Sequence, residues 1–153
     1  MPIELGSFSI GATAGAAVGA LIGHYLTKSR DKETREFKSF NEAAQTFRDA
    51  FTAELVACQS TNNEERLQVY NILLDAFSRQ EAAILAFKQY LDCTEVPRFE
   101  TAWIDYCYPE GSPEEAPGLF CDYISDCNEK LEKENRKQAI QKINELLAFA
   151  KLK

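Results

Sequence analysis

Histidine, methionine and tryptophan each occur once in this chain, and between His24 and Val96 there is neither a glycine nor a proline. Metal chemistry is poorly provided for. His24 has no sequence neighbour at ligand spacing, and Cys58, Cys93, Cys107, Cys121 and Cys127 include no C-x-x-C pair, which disfavours zinc. Asp122, Asp126, Asn128 and Glu129 lack the alternation and the glycine of a calcium-binding loop. None of G-x-x-x-x-G-K, G-x-G-x-x-G, G-x-S-x-G or H-E-x-x-H is present. Cysteine catalysis would need a low-pKa thiol beside a positive group, and four of the five cysteines sit among acids or apolar residues. The chain therefore reads as non-enzymatic, with no catalytic residue, cofactor or metal.

Basic charge is also in short supply. Seventeen Lys and Arg face twenty-four Asp and Glu, a formal charge of −7, which argues against nucleic acid as a partner. Hydrophobic residues make 45% of the 153 and charged residues 27%, the balance of a globular chain.

What is present is unevenly placed. Five of the seven glycines fall within the first 23 residues, inside a run without Asp, Glu, Lys or Arg from Leu5 to Leu26. At about 1.5 Å per residue its 22 residues would cross a hydrocarbon core of roughly 30 Å. A cleaved signal peptide is the first rival. No basic segment precedes the run, however, and it passes straight into TKSRDKETR without a small-residue cleavage site. A small-residue helix buried in a protein core is the second. The flanks set the orientation: Glu4 lies on one side, and Lys28, Arg30, Lys32, Arg35 and Lys38 crowd the other. Positive charge stays cytoplasmic, so the expectation is an N-terminus outside and a body in the reducing cytosol, where an odd number of cysteines suits free thiols. Gly11, Gly15, Gly19 and Gly23 repeat every four residues, one face on which helix backbones approach closely.

Beyond residue 30 the pattern is helical throughout. Phe37, Phe40, Ala44, Phe47, Phe51 and Leu55 recur at three- and four-residue steps, predicting a helix over about 31–59. QSTNNEE interrupts it, and Thr61 or Asn62 suits a new N-terminus for a stripe of Leu67, Tyr70, Leu74 and Phe77. Ser78 with Glu81 has the form of a capping box, predicting a separate short helix with Ala83, Ile84, Phe87 and Leu91 inward. Pro97 suits a first turn, followed by Phe99, Ala102, Trp103 and Tyr106. Residues 108–118, YPEGSPEEAPG, read as a loop, and Leu119 to Ile124 as a short element. A long last helix spans about 129–151, with Leu131, Ile140, Ile143, Leu147 and Ala150 on its core face. The expected fold is all-α: a transmembrane anchor with a glycine zipper over 1–28, then a cytosolic bundle of about five helices over 29–153.

The string SFSIGATAGAAVGALIGHYLTKSRD resembles the N-terminus of a widespread group of small uncharacterised bacterial proteins. The likeness continues through FNEAAQTFRDAF, EAAILAFKQYL, FETAWIDYC and INELLAFAK, nearly the whole chain. It implies a bacterial protein anchored in the cytoplasmic membrane and transfers no catalytic residue. At Gln80 the resemblance would lead one to expect a histidine.

Two surfaces stand out for partners. Residues 92–129 carry ten acids against Arg98 alone, whereas residues 130–153 carry seven bases against three acids. Internal pairing of the two stretches is one reading, and an acidic docking face for a basic protein is the other. Trp103, Tyr106, Tyr108, Glu110, Glu114 and Glu115 would form that face, although the spacing of Phe99, Trp103 and Tyr106 equally suits a shared core face. The function expected is a single-pass membrane scaffold or accessory subunit, touching lipid and another membrane helix, its own or a partner's. The alternative is a glycine-zipper effector that assembles a pore.

Overall fold

The computed structural model describes residues 10–60, 68–111, 118–126 and 128–152, with side chains from residue 32 onward. Its elements are α1 (Ile10–Gln59), α2 (Val69–Lys88), α3 (Val96–Cys107) and α4 (Glu129–Leu147), with 3₁₀ turns at Cys121–Tyr123 and Ala148–Ala150. Among the described residues there is no strand, so the all-α expectation holds. None of the described helices is long and apolar enough to cross a membrane, and the expected span over residues 5–26 lies outside the described side chains.

The chain divides into two compact units, Met1–Ser39 and Phe40–Lys153. In the first, residues 32–39 are all exposed, and Lys32 pairs with Glu36 at 3.7 Å, one helical turn on. Phe37 is 43% exposed, so the predicted apolar stripe begins at Phe40 instead.

The second unit is built around aromatic rings. Phe40, Ala44, Phe47, Phe51 and Cys58 of α1 are buried at the predicted helical spacing. Phe47 stacks on Phe87 of α2 with centroids 4.7 Å apart, and meets Phe51 at 5.1 Å and Phe99 of α3 at 5.7 Å. Phe149, beyond α4, closes on Phe99 at 5.3 Å. Such pairs contribute about 0.5–1.5 kcal/mol each beyond the area they bury.

Helix α2 departs from expectation. Ser78 is an exposed residue in its middle, and the helix is unbroken from Val69 to Lys88. Val69, Leu73, Ala76, Gln80, Ile84 and Phe87 are buried in steps of three and four that pass straight through position 78. Continuous packing outweighs a local capping signature. Of the predicted inward residues, Ile84 and Phe87 are buried and Tyr70, Phe77, Ala83 and Leu91 pack against the core, while Leu74 is exposed. Among the described residues there are four α-helices, and the two helices expected over about 61–91 are one, α2.

Pro97 does sit in the first turn of α3. The predicted element near Leu119–Ile124 is the 3₁₀ turn, entered through Phe120 at φ +57°, fully buried. A left-handed phenylalanine costs about 1–2 kcal/mol. Its ring, 5.2 Å from that of Tyr106, and its N–H, donated to the Cys107 carbonyl at 3.0 Å, offset that cost. Asn128 caps α4 by accepting from the Lys130 and Leu131 N–H groups. The core face of α4 runs through Asn135, Ala139, Ile143, Leu146 and Leu147, and Leu131, expected on it, is exposed.

The packing separates two phenylalanines three turns apart on α1. Phe47→Ala should cost about 3–5 kcal/mol in urea denaturation, and Phe37→Ala under about 1 kcal/mol. Equal losses would place Phe37 in the core.

Candidate functional site

Polar groups inside the bundle form two connected sets. In the first, Glu54 of α1 is buried and accepts from Arg79 at 2.5 Å and from the Gln80 amide at 3.2 Å. Gln80, on α2, accepts in turn from the Tyr106 hydroxyl of α3 at 2.8 Å. The Tyr123 hydroxyl donates to the Tyr106 carbonyl at 3.3 Å. The chain links three helices and the 3₁₀ turn, and Gln80, Tyr106 and Tyr123 are all fully buried.

The second set gathers where α1 ends and α2 begins. Glu132 of α4 accepts from the Val69 N–H at 3.2 Å, from Ser125 at 2.9 Å and from Arg136 at 3.0 Å. Arg136 also donates to the Ala57 carbonyl at 2.9 Å. An acid thus meets the N-terminus of α2 and a base meets the C-terminus of α1, the signs that helix dipoles favour. Gln68, at the N-cap of α2, provides no side-chain cap, so Glu132 replaces it from a distant helix. Among the described residues one buried side-chain atom, Asn135 Nδ2, has no partner.

The two buried thiols, Cys58 and Cys107, are poorly suited to nucleophilic work. Burial pushes Cys58 up from 9.0 to about 11, despite the lowering influence of nearby Arg136. Burial raises Cys107 further, and it likewise lifts the phenols of Tyr106 and Tyr123 well above their ordinary range. Cys58, Cys93, Cys107 and Cys121 are all free, as expected of unpaired cysteines, and Cys93 is exposed. No cluster of His, Cys, Asp or Glu suited to a metal is found among the described residues.

The expected partner face is divided by the structure. Tyr106 is fully buried beneath Phe120 and bonded to Gln80, which takes it out of any surface. Trp103 is half-buried and stacks on Phe77 at 5.8 Å, consistent with its three-residue spacing to Tyr106. Tyr108 packs against the core, and Glu110 is exposed with its N–H donated to Asp122. Glu114 and Glu115 lie outside the described residues, and Gly11, Gly15, Gly19 and Gly23 fall in the part of α1 without described side chains. Among the described residues, Lys142 of α4 pairs with Asp105 of α3 at 3.7 Å and so joins the acidic and basic stretches across helices.

A concavity unread from the sequence lies between α3 and the end of α4. It encloses about 880 Å³ and opens to solvent, with Phe40, Ala102 and Phe149 along its apolar lining. Its walls come from segments far apart in the chain, so only folding brings them together. Comparisons with known protein families, curated proteins and solved structures return no match.

Alkylation reports the thiol environments directly. At pH 8 iodoacetamide should modify Cys93 in the native protein, while Cys58 and Cys107 stay unmodified until denaturant is added. A Cys58 that reacts as fast as Cys93 would contradict its burial. Alkaline stability carries the same information. Unfolded thiol and phenol groups release protons before the native ones do, so the native state holds more protons above about pH 9 and stability falls as pH rises. Cys58→Ala should flatten that decline between pH 9 and about 11, and an unchanged slope would contradict the raised Cys58.

Proposed function

We propose that this chain is a non-enzymatic, single-pass membrane scaffold or accessory subunit, with the glycine-bearing segment as its anchor and the helical bundle as its cytosolic body. The observation that carries the reading is how the interior polar groups are engaged. Glu54, Gln80, Tyr106, Glu132 and Arg136 bond to one another and to helix ends, and the buried thiols are held protonated. Groups engaged in this way hold helices together and leave the outer faces for recognition. The uncharged run from Leu5 to Leu26 and the basic residues after it support the anchor and its orientation in a bacterial cytoplasmic membrane. In lipid, association relies on close packing, and the four glycines on one helical face suit it, with the same chain or with a partner's helix. Pore assembly through that face is the rival function, and dye leakage from vesicles carrying the protein would favour it.

Topology and association can be tested together. A cysteine introduced before residue 5 should label with an impermeant reagent from outside intact cells, and positions after Lys28 should be protected. External labelling of the body would reverse the orientation. Gly15→Leu or Gly19→Leu should lose cross-linked species in membranes, whereas Thr13→Leu, off that face, should keep them. Equal association of all three would remove the glycine face from the account.

A further inference from the structure

We propose that residues 118–124 form a strap that opens and closes over the rings of Phe77 and Tyr106, between α2 and α3, while the four helices stay folded. Such a strap works whether or not the chain is anchored in a membrane. Backbone strain marks the segment. Phe120 stands at φ +57° and Asp126, just beyond the strap, at φ +45°, the two non-glycine residues at positive φ among the described residues. Aspartate tolerates that region, but phenylalanine has no polar side chain with which to offset it. Phe120 is also fully buried, so its surroundings hold it in a conformation it would not choose. Its ring meets those of Tyr106 at 5.2 Å and of Phe77 and Tyr123 at 6.1 Å.

The bonds of the strap can be given up without stranding a buried group. The Phe120 N–H donates to the Cys107 carbonyl at 3.0 Å, and the Tyr123 hydroxyl to the Tyr106 carbonyl at 3.3 Å. Both carbonyls close α3, where a helix offers its own N–H groups no longer and water can take the strap's place. The Tyr123 and Ile124 N–H groups bond within the strap, to Phe120 at 3.0 Å and Cys121 at 3.1 Å, and travel with it. The bonds from Glu54 through Gln80 to the Tyr106 hydroxyl include no strap residue and stay complete when it leaves. Nor does the Phe120 ring pair with Phe47, Phe51, Phe87 or Phe99, which join the helices. Beyond the strap, Ser125 donates to Glu132 at 2.9 Å and accepts from the Asn128 N–H at 2.8 Å, which fixes it to α4. The pivot therefore lies between Ile124 and Ser125. Opening releases the strain at Phe120 and exposes two rings, a smaller change than parting the helices. It uncovers Phe77 and Tyr106 beside the half-buried Trp103, which lies 5.8 Å and 5.5 Å from them.

Residue-resolved hydrogen exchange of the full chain in detergent micelles tests the strap. The Phe120, Tyr123 and Ile124 amides should share one protection factor, about tenfold or more below those of Ile84 in α2 and Ile143 in α4. Dilute urea separates the two openings, because a segment that exposes little surface responds weakly to denaturant. The Ile84 and Ile143 amides should accelerate steeply with urea and the strap amides barely. Two substitutions add an independent reading. Tyr123→Phe removes one bond and keeps the ring, so it should speed the three strap amides together, about fivefold. Phe87→Leu loosens rings that the strap does not touch, so it should speed Ile84 and Ile143 about fivefold and leave the strap amides unchanged. Strap amides with unrelated protection factors, or with unequal responses to Tyr123→Phe, overturn the concerted strap. Strap amides that match Ile84 and Ile143 in protection, and follow them in urea and in Phe87→Leu, overturn opening on an intact bundle.

Discussion

A single ion pair on the last helix completes the ends of the first two. Helix α1 finishes with carbonyls that have no partner within the helix, and α2 starts without a side-chain cap. Arg136 reaches the first and Glu132 the second, while the two bond to each other one turn apart on α4. Both side chains are mostly buried, so each depends on the other for compensation of its charge. Breaking such a pair on one side costs about 3–5 kcal/mol, far more than an exposed pair contributes. Ser125 adds its hydroxyl to Glu132, which ties the segment before α4 to the same corner. The chain-distant helix thus decides where α1 stops and α2 begins.

With that corner set, the aromatic core follows from α1. Phe40, Phe47 and Phe51 project from one face onto Phe87, Phe99 and Tyr106, and each neighbouring helix contributes its own ring. Rings give affinity between helices without much direction. Direction comes from Glu54, Gln80 and Tyr106, whose bonds fix which face of α2 turns inward. Rotating α2 to bury Leu74 would strand the Glu54 carboxylate and the Tyr106 hydroxyl, at about 1–3 kcal/mol for each unpaired group. The proposed function draws on this economy: the interior polar groups are engaged with one another and with helix ends.

How much of this was legible in the sequence depended on whether a residue's fate was local. The helical periodicity of Phe40, Phe47 and Phe51, the Pro97 start of α3 and the Phe99–Trp103–Tyr106 spacing depend on near neighbours and were readable. The continuity of α2 was not, because Ser78 and Glu81 imitate a cap, although Gln80 between them is fully buried. Its burial is set by Glu54 and Tyr106, each 26 positions away in the chain. Glu132 and Arg136 look like any surface pair on a charged helix, and only the arrival of Ala57 and Val69 reveals their role. The spacing and aromatic character of Tyr106 suit both core and surface, and its buried bond to Gln80 places it in the core. The groove had no sequence signal, since its small residues acquire meaning only when α3 and α4 lie side by side.

The central claim is that the buried polar groups hold the helices to one another, and a double-mutant cycle on Glu132 and Arg136 tests it most directly. Glu132→Gln, Arg136→Met and the double variant would be compared in chemical denaturation. A coupling energy of about 1–3 kcal/mol, with the double variant much less unstable than the sum of the singles, is the result this account predicts. Additive losses within about 0.5 kcal/mol would contradict it, because the pair would then be two independent surface charges and the helix ends would be held by something else.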